Sequence, residues 1–551
     1  MSRVTRHSSL VTALLALAAT SASAGGAGFY RVECDAAGAW RLVDPAGEPT
    51  VWLGVDHVKF DGFRCEADGN RKHYREANER QFVSREGWAT NTAERLRSWG
   101  FNGLGAACDN SRFKGSGLGR CVFLALGDSA TAEKADEEHW LSDNLHTPGT
   151  AFPNVFHPDF EKTCDELARK RCAPNVGDPW LVGYFLDNEL RWWGLGDSAT
   201  GLFDLVRTLP PEHSARQALA AFLEERGLST NSQCSQLPTN TNRNPANPVN
   251  PVENGSASSA APREVPAATK RAFVALVAER YFSTLCAAIR KADPGHLILG
   301  SRFAGMDFAP EILAACGRHC DVVSVNVYPW ADLDTGVVLE KRGGVPLADA
   351  FRAFREKAGG KPLLLTEWSF PALDSGLPCT YGAGQRFHTQ VERAQASEML
   401  LRTVMSLPFL VGDDFFMWQD DPALGFNKHF HENSNYGLVN VNDEPYAELT
   451  EMFARVHAEA PLIRAGAANR ANGGASPPGE PPTSSPKSCR WKTSANLPST
   501  WNISTCVPLP PNPGPHPCTE KRSPISGRGR SKAGGALPTV RALALSRTTA
   551  A

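Results

Sequence analysis

The sequence predicts an α/β fold, a (β/α)8 TIM barrel with a short N-terminal β-hairpin and a disordered C-terminal tail. Three observations predict it. Eight short segments rich in β-branched and aromatic residues recur along the chain, separated mostly by longer stretches with apolar residues at helical spacing. A segment that reads as a hairpin, residues 29–49, precedes the first of them. Beyond residue 466 the periodicity stops, and Pro, Ser, Gly and Arg dominate, a composition that cannot pack a core.

At the N-terminus, Arg3 and Arg6 precede the apolar stretch "LVTALLALAAT", and Ala22-Ser23-Ala24 has the form of a signal-peptidase site, so residues 1–24 read as a secretory leader too short to span a bilayer. The expected location is secreted, extracellular or periplasmic, after removal of the leader, and no other stretch reads as a membrane helix. The hairpin is "FYRVECDAAGAWRLVDPAGEP", residues 29–49. The eight strands are read at 52–58, 100–106, 121–127, 180–189, 296–303, 321–330, 361–370 and 412–420. Helical stripes lie in "TNTAERLRSW", "DFEKTCDELARKRC", "KRAFVALVAERYFSTLCAAIRKAD", "LADAFRAFREKA" and "RAQASEMLLRTVMSL". One catalytic domain is therefore expected over residues 25–465, with an Asn/Pro/Ser-rich flexible insertion at 228–265 and a low-complexity tail at 466–551.

Composition narrows the function. With 551 residues, 42% hydrophobic and 21% charged, the chain can bury a large core. A net charge of −2 points to no nucleic-acid partner and no anionic membrane surface, and to a substrate that is not highly charged. The expected assembly is a monomer or weak homo-oligomer. Fourteen cysteines, an even number, suit an oxidising compartment without revealing their pairing. Cys316, His319 and Cys320 sit close together but lack a second ligand pair at zinc spacing, which favours a disulfide or a buried thiol over a metal site.

The chemistry is concentrated at two strand ends. In a (β/α)8 barrel the functional groups stand at the C-terminal ends of the strands. Strand 4, "WLVGYFLDNE", closes on Glu189, and strand 7, "KPLLLTEWSF", carries Glu367 near its end. Two carboxylates flanking a sugar are the machinery of glycoside hydrolysis, one protonating the leaving oxygen and the other attacking the anomeric carbon. Trp192 and Trp368 come within a few residues of them, and pyranose rings have apolar faces that stack on aromatic side chains. Each acid also has a plainer reading. Asp187 and Asn188 could cap a helix with Glu189 in its first turn, and Glu367 could be a rim ion-pair partner.

These residues resemble a known group. "DNEL" on strand 4 with "TEW" on strand 7 is similar to glycoside hydrolase clan A, retaining barrel enzymes with an Asn-Glu acid/base and a strand-7 Glu nucleophile. "DPWLVGYFLDNELRWWG", "LVDPAGEPTVWLGVDHV" and "ENSNYGLVNVNDEPYAEL" most resemble the β-agarases of glycoside hydrolase family 50, over residues 29–460. The resemblance implies Glu189 as general acid/base, Glu367 as nucleophile, and Asn188 as a hydrogen-bond partner of the sugar 2-hydroxyl. It implies that Tyr328 donates to Glu367 and that Trp418 forms the floor under the reacting sugar; the plainer readings are a core tyrosine and a core tryptophan. His57 and Asn326 are expected at sugar hydroxyls, and Trp192, Asn433 and Asn435 at loop contacts. Both steps need only the carboxylates, so no cofactor or metal is expected. The implied substrate is a β-linked galactose-containing polysaccharide or oligosaccharide of the agarose kind. The alternatives are a β-galactosidase or β-mannanase of the same clan, or a non-catalytic carbohydrate-binding barrel. Strand 1 is read within about 30 residues of the expected leader, so no sizeable sugar-binding domain of the kind several family 50 agarases carry is expected before it.

Overall fold

The computed structural model describes residues 23–127 except 37, then 140–143, 151–228, and 264–471 except 429. The leader through residue 22, most of the 228–265 insertion, and the tail from residue 472 lie outside the described residues. Contacts divide the chain into two units, Met1–Gly479 and Glu480–Ala551, and every described residue belongs to the first.

The chain begins with a four-stranded antiparallel sheet of β1 (Ser23–Ala24), β2 (Arg31–Cys34), β3 (Trp40–Val43) and β4 (Pro49–Thr50), in that order. β2 and β3 are the expected hairpin, while β1 is formed by the last two residues of the expected leader.

The main sheet has nine strands and every pairing in it is parallel. In chain order they are β5 (Trp52–Val55), β6 (Gly103–Leu104), β7 (Gly119–Phe123), β10 (Leu181–Phe185), β11 (Leu297–Ile298), β12 (Phe303–Ala304), β13 (Val323–Asn326), β16 (Leu363–Glu367) and β17 (Leu410–Phe415). Two small antiparallel ribbons, β8 (Trp140–Asp143) with β9 (Ala151–Pro153) and β14 (Trp330–Asp332) with β15 (Val337–Leu339), stand outside it. The sheet order is β11-β10-β7-β6-β5-β17-β16-β13-β12. Its two edges are consecutive pieces of one expected strand, interrupted where Gly300 and Arg302 take φ of 86° and 47°. Within the interruption, the N–H of Leu186 donates to Gly300 and that of Glu189 to Arg302, while beyond it the N–H of Gly305 donates to Asn326. The sheet thus returns on itself in the manner of a barrel.

Ten helices accompany the strands among the described residues: α1 (His73–Gln81), α2 (Arg85–Ser98), α3 (Phe160–Cys172), α4 (Gly201–Thr208), α5 (Ser214–Glu224), α6 (Ala267–Ala292), α7 (Pro310–His319), α8 (Leu347–Lys357), α9 (Gln390–Met405) and α10 (Ala447–Ala471). Some of their starts are chemically marked: Thr389 and Glu392 form a reciprocal capping box on α9, and the Ser84 hydroxyl accepts from the N–H of Gly87 on α2. The β6–β7 connection holds only a 3-10 turn, Asn110–Phe113, because its short, glycine-rich sequence offers no apolar stripe for a helix to bury. α10 runs to Ala471, past the boundary expected at 465.

Two apolar layers result. Trp52, Val182, Leu297, Leu299, Leu364 and Val411 fill the interior of the curled sheet, while Leu53, Ile298, Leu363, Leu365 and Leu410 face the helices. α6 is long and apolar enough to cross a membrane, which sequence inspection overlooked. Phe273, Val277, Tyr281, Phe282, Leu285 and Ile289 on it are fully buried in the helical layer. The ten described cysteines are free thiols. Cys286 and Cys320 bring their Sγ atoms to 3.7 Å, and His319 turns away to Glu279.

Candidate active site

Glu189 and Glu367 reach the same end of the sheet by two different backbone devices. On β16, Leu363 and Leu365 face the helices, so a regular strand would send Glu367 outward as well. The pairing with β13 shifts instead: Val325 opposes Leu365, and Asn326 opposes Glu367, leaving Thr366 as an extra residue. Such a bulge re-aims the next side chain. Thr366 is held in place by its hydroxyl, which donates to Asn326 Oδ1 at 2.7 Å. Glu189 lies just past β10 with φ of 51°, in the left-handed region that β-carbon-bearing residues rarely occupy. His57, Ala107, Ala125 and Arg302 take the same conformation, so β5, β6, β7, β10 and the interrupted strand all exit through such a residue.

Arg302 connects the two acids. Its Nη2 donates to Glu367 Oε1 at 2.5 Å and to Asp56 Oδ2 at 2.8 Å, and its Nε donates to Asn188 Oδ1 at 2.8 Å. Asn326 Nδ2 donates to Glu189 Oε1 at 2.9 Å and to Asn188 Oδ1 at 3.3 Å. The Tyr328 hydroxyl donates to the second Glu367 oxygen at 3.0 Å. Asp56 is itself fixed by the N–H of Ala106 at 2.6 Å, and Asp187 by Tyr281 and the N–H of Gly127. Asp187 is therefore an anchor beneath the site, not the cap of a helix: the chain turns after Glu189 and forms no helix until Gly201.

The site is short of positive charge. Glu367, Asp56 and the nearby Asp414 share one guanidinium. Burial pushes the Glu367 carboxyl up to about 8; Arg302 opposes this, while the charges of Glu189 and Asp56 reinforce it. Burial also holds the Asp414 carboxyl well above its ordinary range, reinforced by Asp56. Burial and the Glu367 charge keep the Tyr328 phenol protonated. Burial, with Lys59 and Arg302 nearby, keeps the His57 ring neutral. Among the described residues no group of three or more His, Cys, Asp or Glu side chains is arranged to hold a metal ion.

The residues expected from sequence divide into two sets. Glu189, Glu367, Asn188, Asn326 and Tyr328 share one hydrogen-bonded web. His57 joins them through Phe416, whose ring lies 5.4 Å from His57 and 6.2 Å from Tyr328. The other five stand elsewhere. Trp192, 1% exposed, stacks on Phe282 at 5.6 Å inside the helical layer. Trp368 is fully buried with its Nε1 donating to Asp413 at 2.9 Å. Trp418, the expected floor, is also fully buried: its Nε1 donates to the Tyr74 hydroxyl at 2.6 Å and its ring stacks on Trp99. Two residues earlier, Phe416 is a half-buried aromatic at the site, as Tyr328 is. Asn433 and Asn435 are structural, with the first accepting from the N–H groups of Thr380 and Tyr381, and the second bridging Gln390, Arg393 and Asp420.

Sequence reasoning missed Arg302, Asp56 and Phe416. The first two carried a signal, each a lone charge in an apolar run, "HLILGSRF" and "WLGVDHV". A buried charge requires a partner, and each is the other's.

Comparison with known proteins points the same way. No family model matches the chain. It is 25% identical over 382 residues to Beta-agarase B of Vibrio sp. (strain JT0107), covering 68% of this chain and 36% of that protein. It is 25% identical over 473 residues to Beta-agarase A of the same organism, covering 76% and 44%. The chain thus spans less than half the length of these curated relatives. Among solved structures, an exo-beta-agarase superposes with a TM-score of 0.60 at 20% identity, over 80% of this chain and 66% of that one. The crystal structure of BpGH50 gives 0.59 at 20% identity, over 81% and 85%. The agarase AgWH50C gives 0.59 at 22% identity, over 81% and 65%. The chain is similar in sequence to β-agarases and shares its fold with these structures.

Proposed function

We propose that this chain is a secreted (β/α)8 glycoside hydrolase of the family 50 β-agarase kind. In this reading it cleaves a β-linked galactose-containing saccharide with retention, using the strand-4 and strand-7 glutamates of the clan A pattern. The observation that carries the reading is the convergence of Glu189 and Glu367 on one web through Arg302, Asn188 and Asn326. The similarity to two β-agarases supports the substrate class.

Both steps can be written on these side chains. In the first, a Glu367 oxygen forms a bond to the anomeric carbon while the glycosidic C–O bond breaks, and the Glu189 proton passes to the departing oxygen. In the second, the Glu189 carboxylate takes a proton from water, the water oxygen bonds to the anomeric carbon, and the Glu367 ester bond breaks. Arg302 and Tyr328 hold both Glu367 oxygens, which fixes the carboxylate plane before the sugar arrives. Asn326, donating to Glu189 Oε1, fixes the orientation of the carboxyl that carries the proton. Phe416 offers an apolar face to the reacting ring in place of Trp418.

The test is chemical rescue on a soluble agaro-oligosaccharide and its aryl glycosides. Glu367→Ala should lose turnover and recover part of it with azide, giving a glycosyl azide of inverted configuration. Glu189→Ala should keep the first step on substrates with good leaving groups, with azide giving the retained product. Equal losses in folded variants, neither rescued, would refute the assignment. A substrate panel of agarose, porphyran, galactan and mannan oligosaccharides, read as reducing sugar released, separates an agarase from a β-galactosidase or β-mannanase.

A further inference from the structure

The loop after β16 and the loop after β17 are tied together at one seam beside the carboxylates. Asn433 Oδ1 accepts from the N–H of Thr380 and of Tyr381, each at 3.0 Å, and the Ser434 hydroxyl donates to the Tyr381 carbonyl at 2.5 Å. The Tyr436 hydroxyl donates to the carbonyl of Ala383 at 2.7 Å, and Arg386 donates to the carbonyls of Cys379, Gly382 and Gly384. A seam with this many bonds holds its side chains in fixed positions. Yet its outermost ring, Tyr381, is 47% exposed, and lies 5.5 Å from the exposed ring of His431. Packing gives no reason for a tyrosine to stand half in water on so rigid a segment.

The seam leads to the catalytic acids. At Gly382, φ is 116° and a Cβ would lie 2.4 Å from the Tyr436 hydroxyl, so only glycine lets the Tyr381 backbone pass this close. Tyr436 lies 5.3 Å from Phe416 and 6.2 Å from Tyr328, ring to ring, and Tyr328 holds Glu367. Glu432, half-buried next to His431, lies near the same rings: burial holds the phenol protons of Tyr328 and Tyr436, and the Glu432 charge reinforces this. One wall therefore runs from the reacting centre outward, built from the loops after β16 and β17. Glu189, which stands on the side of the departing oxygen, comes from β10 on the other side of the sheet order.

We propose that Tyr381, His431 and Glu432 form a sugar subsite for the pyranose next to the reacting one, on the side away from Glu189. This inference rests on the hydrolase reading and adds a specificity determinant to it. The apolar C–H face of the sugar lies on the Tyr381 ring, with His431 as its flank, and a ring hydroxyl donates to Glu432. The seam fixes the platform in advance, so little ordering is required on binding.

The experiment compares two p-nitrophenyl β-glycosides, one carrying a single galactose and one carrying that galactose extended by one sugar at its non-reducing end. Tyr381→Ala should lower the ratio of kcat/KM, extended over unextended, about tenfold, chiefly through KM. Tyr381→Phe should keep the ratio, because stacking needs only the ring, and Glu432→Gln should lower it severalfold. The subsite is overturned, with the hydrolase reading intact, if the protein cleaves both substrates and Tyr381→Ala leaves the ratio unchanged. Equal losses in the Phe and Ala variants, or a loss confined to substrates lengthened on the leaving-group side, overturn it as well. If the wild-type protein cleaves neither substrate, the hydrolase reading fails instead. Calorimetry of wild-type and Tyr381→Ala protein with agaro-oligosaccharides then decides the subsite by whether the substitution weakens binding about tenfold.

Discussion

Replacing Arg302 by Met should move the acid limb of the pH–rate profile to higher pH. In the proposed mechanism the nucleophilic step needs Glu367 ionised, so kcat/KM should fall as pH drops through the Glu367 pKa, which burial raises to about 8 against the opposing charge of Arg302. Arg302 donates to Glu367 Oε1 at 2.5 Å. A hydrogen bond to a charged group contributes about 1.5–3 kcal/mol, and about 1.4 kcal/mol shifts a pKa by one unit. The limb should therefore rise by about one to two units, a loss of about 10- to 100-fold in kcat/KM well below it. Arg302→Lys keeps the charge but cannot reach Asp56, Asn188 and Glu367 together, so its limb should fall between the two. Asp56→Asn removes a negative charge that raises the Glu367 pKa, and should move the limb the opposite way. The assay is kcat/KM against pH on a soluble oligosaccharide, with circular dichroism confirming the fold of each variant, since breaking a buried pair costs about 3–5 kcal/mol. A folded Arg302→Met protein with the wild-type limb would refute the claim that Arg302 governs this ionisation.

Three other outcomes are expected. Phe416→Ala should raise KM with little change in denaturation midpoint, whereas Trp418→Ala should cost about 3–5 kcal/mol of stability, as other buried aromatics do; urea titration and kinetics on the same pair would expose a reversed assignment. His457, buried against Phe101 and Phe453 with Nδ1 on the Trp99 carbonyl, has its pKa lowered by burial from 6.5 to about 4. Its contribution is complete above pH 6.5 and declines as pH falls toward 4, by about 3 kcal/mol in all; urea midpoints of wild type and His457→Gln at pH 7.5 and 4.5 should differ in slope with pH, and parallel slopes would contradict it. A chain ending after Ala471, where α10 stops, should cleave soluble substrate at the full rate, and one ending before residue 450 should not fold; an inactive 471 form would displace the domain boundary.

What could be read from the sequence was set by how far a local pattern controls geometry. β10 and β16 were visible because each is an apolar run that ends in charge, and Glu189 and Glu367 were singled out that way. α6 and α9 were visible because their stripes are long. α7 was not, although Pro310 and Glu311 form an ordinary helix start, because Cys316, His319 and Cys320 drew attention as a cluster. The orientation of the tryptophans was not legible either. Side-chain direction can be counted along a regular strand, but the chain beyond β17 is no longer regular: counting puts residues 416 and 418 on one face, whereas Phe416 stands at the site and Trp418 is buried in the helical layer. Arg302 stayed hidden because its three partners lie 114, 246 and 65 residues away in the sequence.

The left-handed strand exits also bear on how such a site can change over time. Five successive strands leave the sheet through a residue of positive φ, and each costs about 1–2 kcal/mol unless it is glycine. At positions 57, 189 and 302 the occupant carries a side chain that faces the chemistry. At 107 and 125 it is alanine, so the same backbone posture presents only a methyl group. The scaffold therefore holds two blank mounting points on its rim. Since the turn itself is already formed there, a new polar group at Ala107 or Ala125 would alter recognition without asking the chain to find a new path, which is how one fold can be retuned to many sugars.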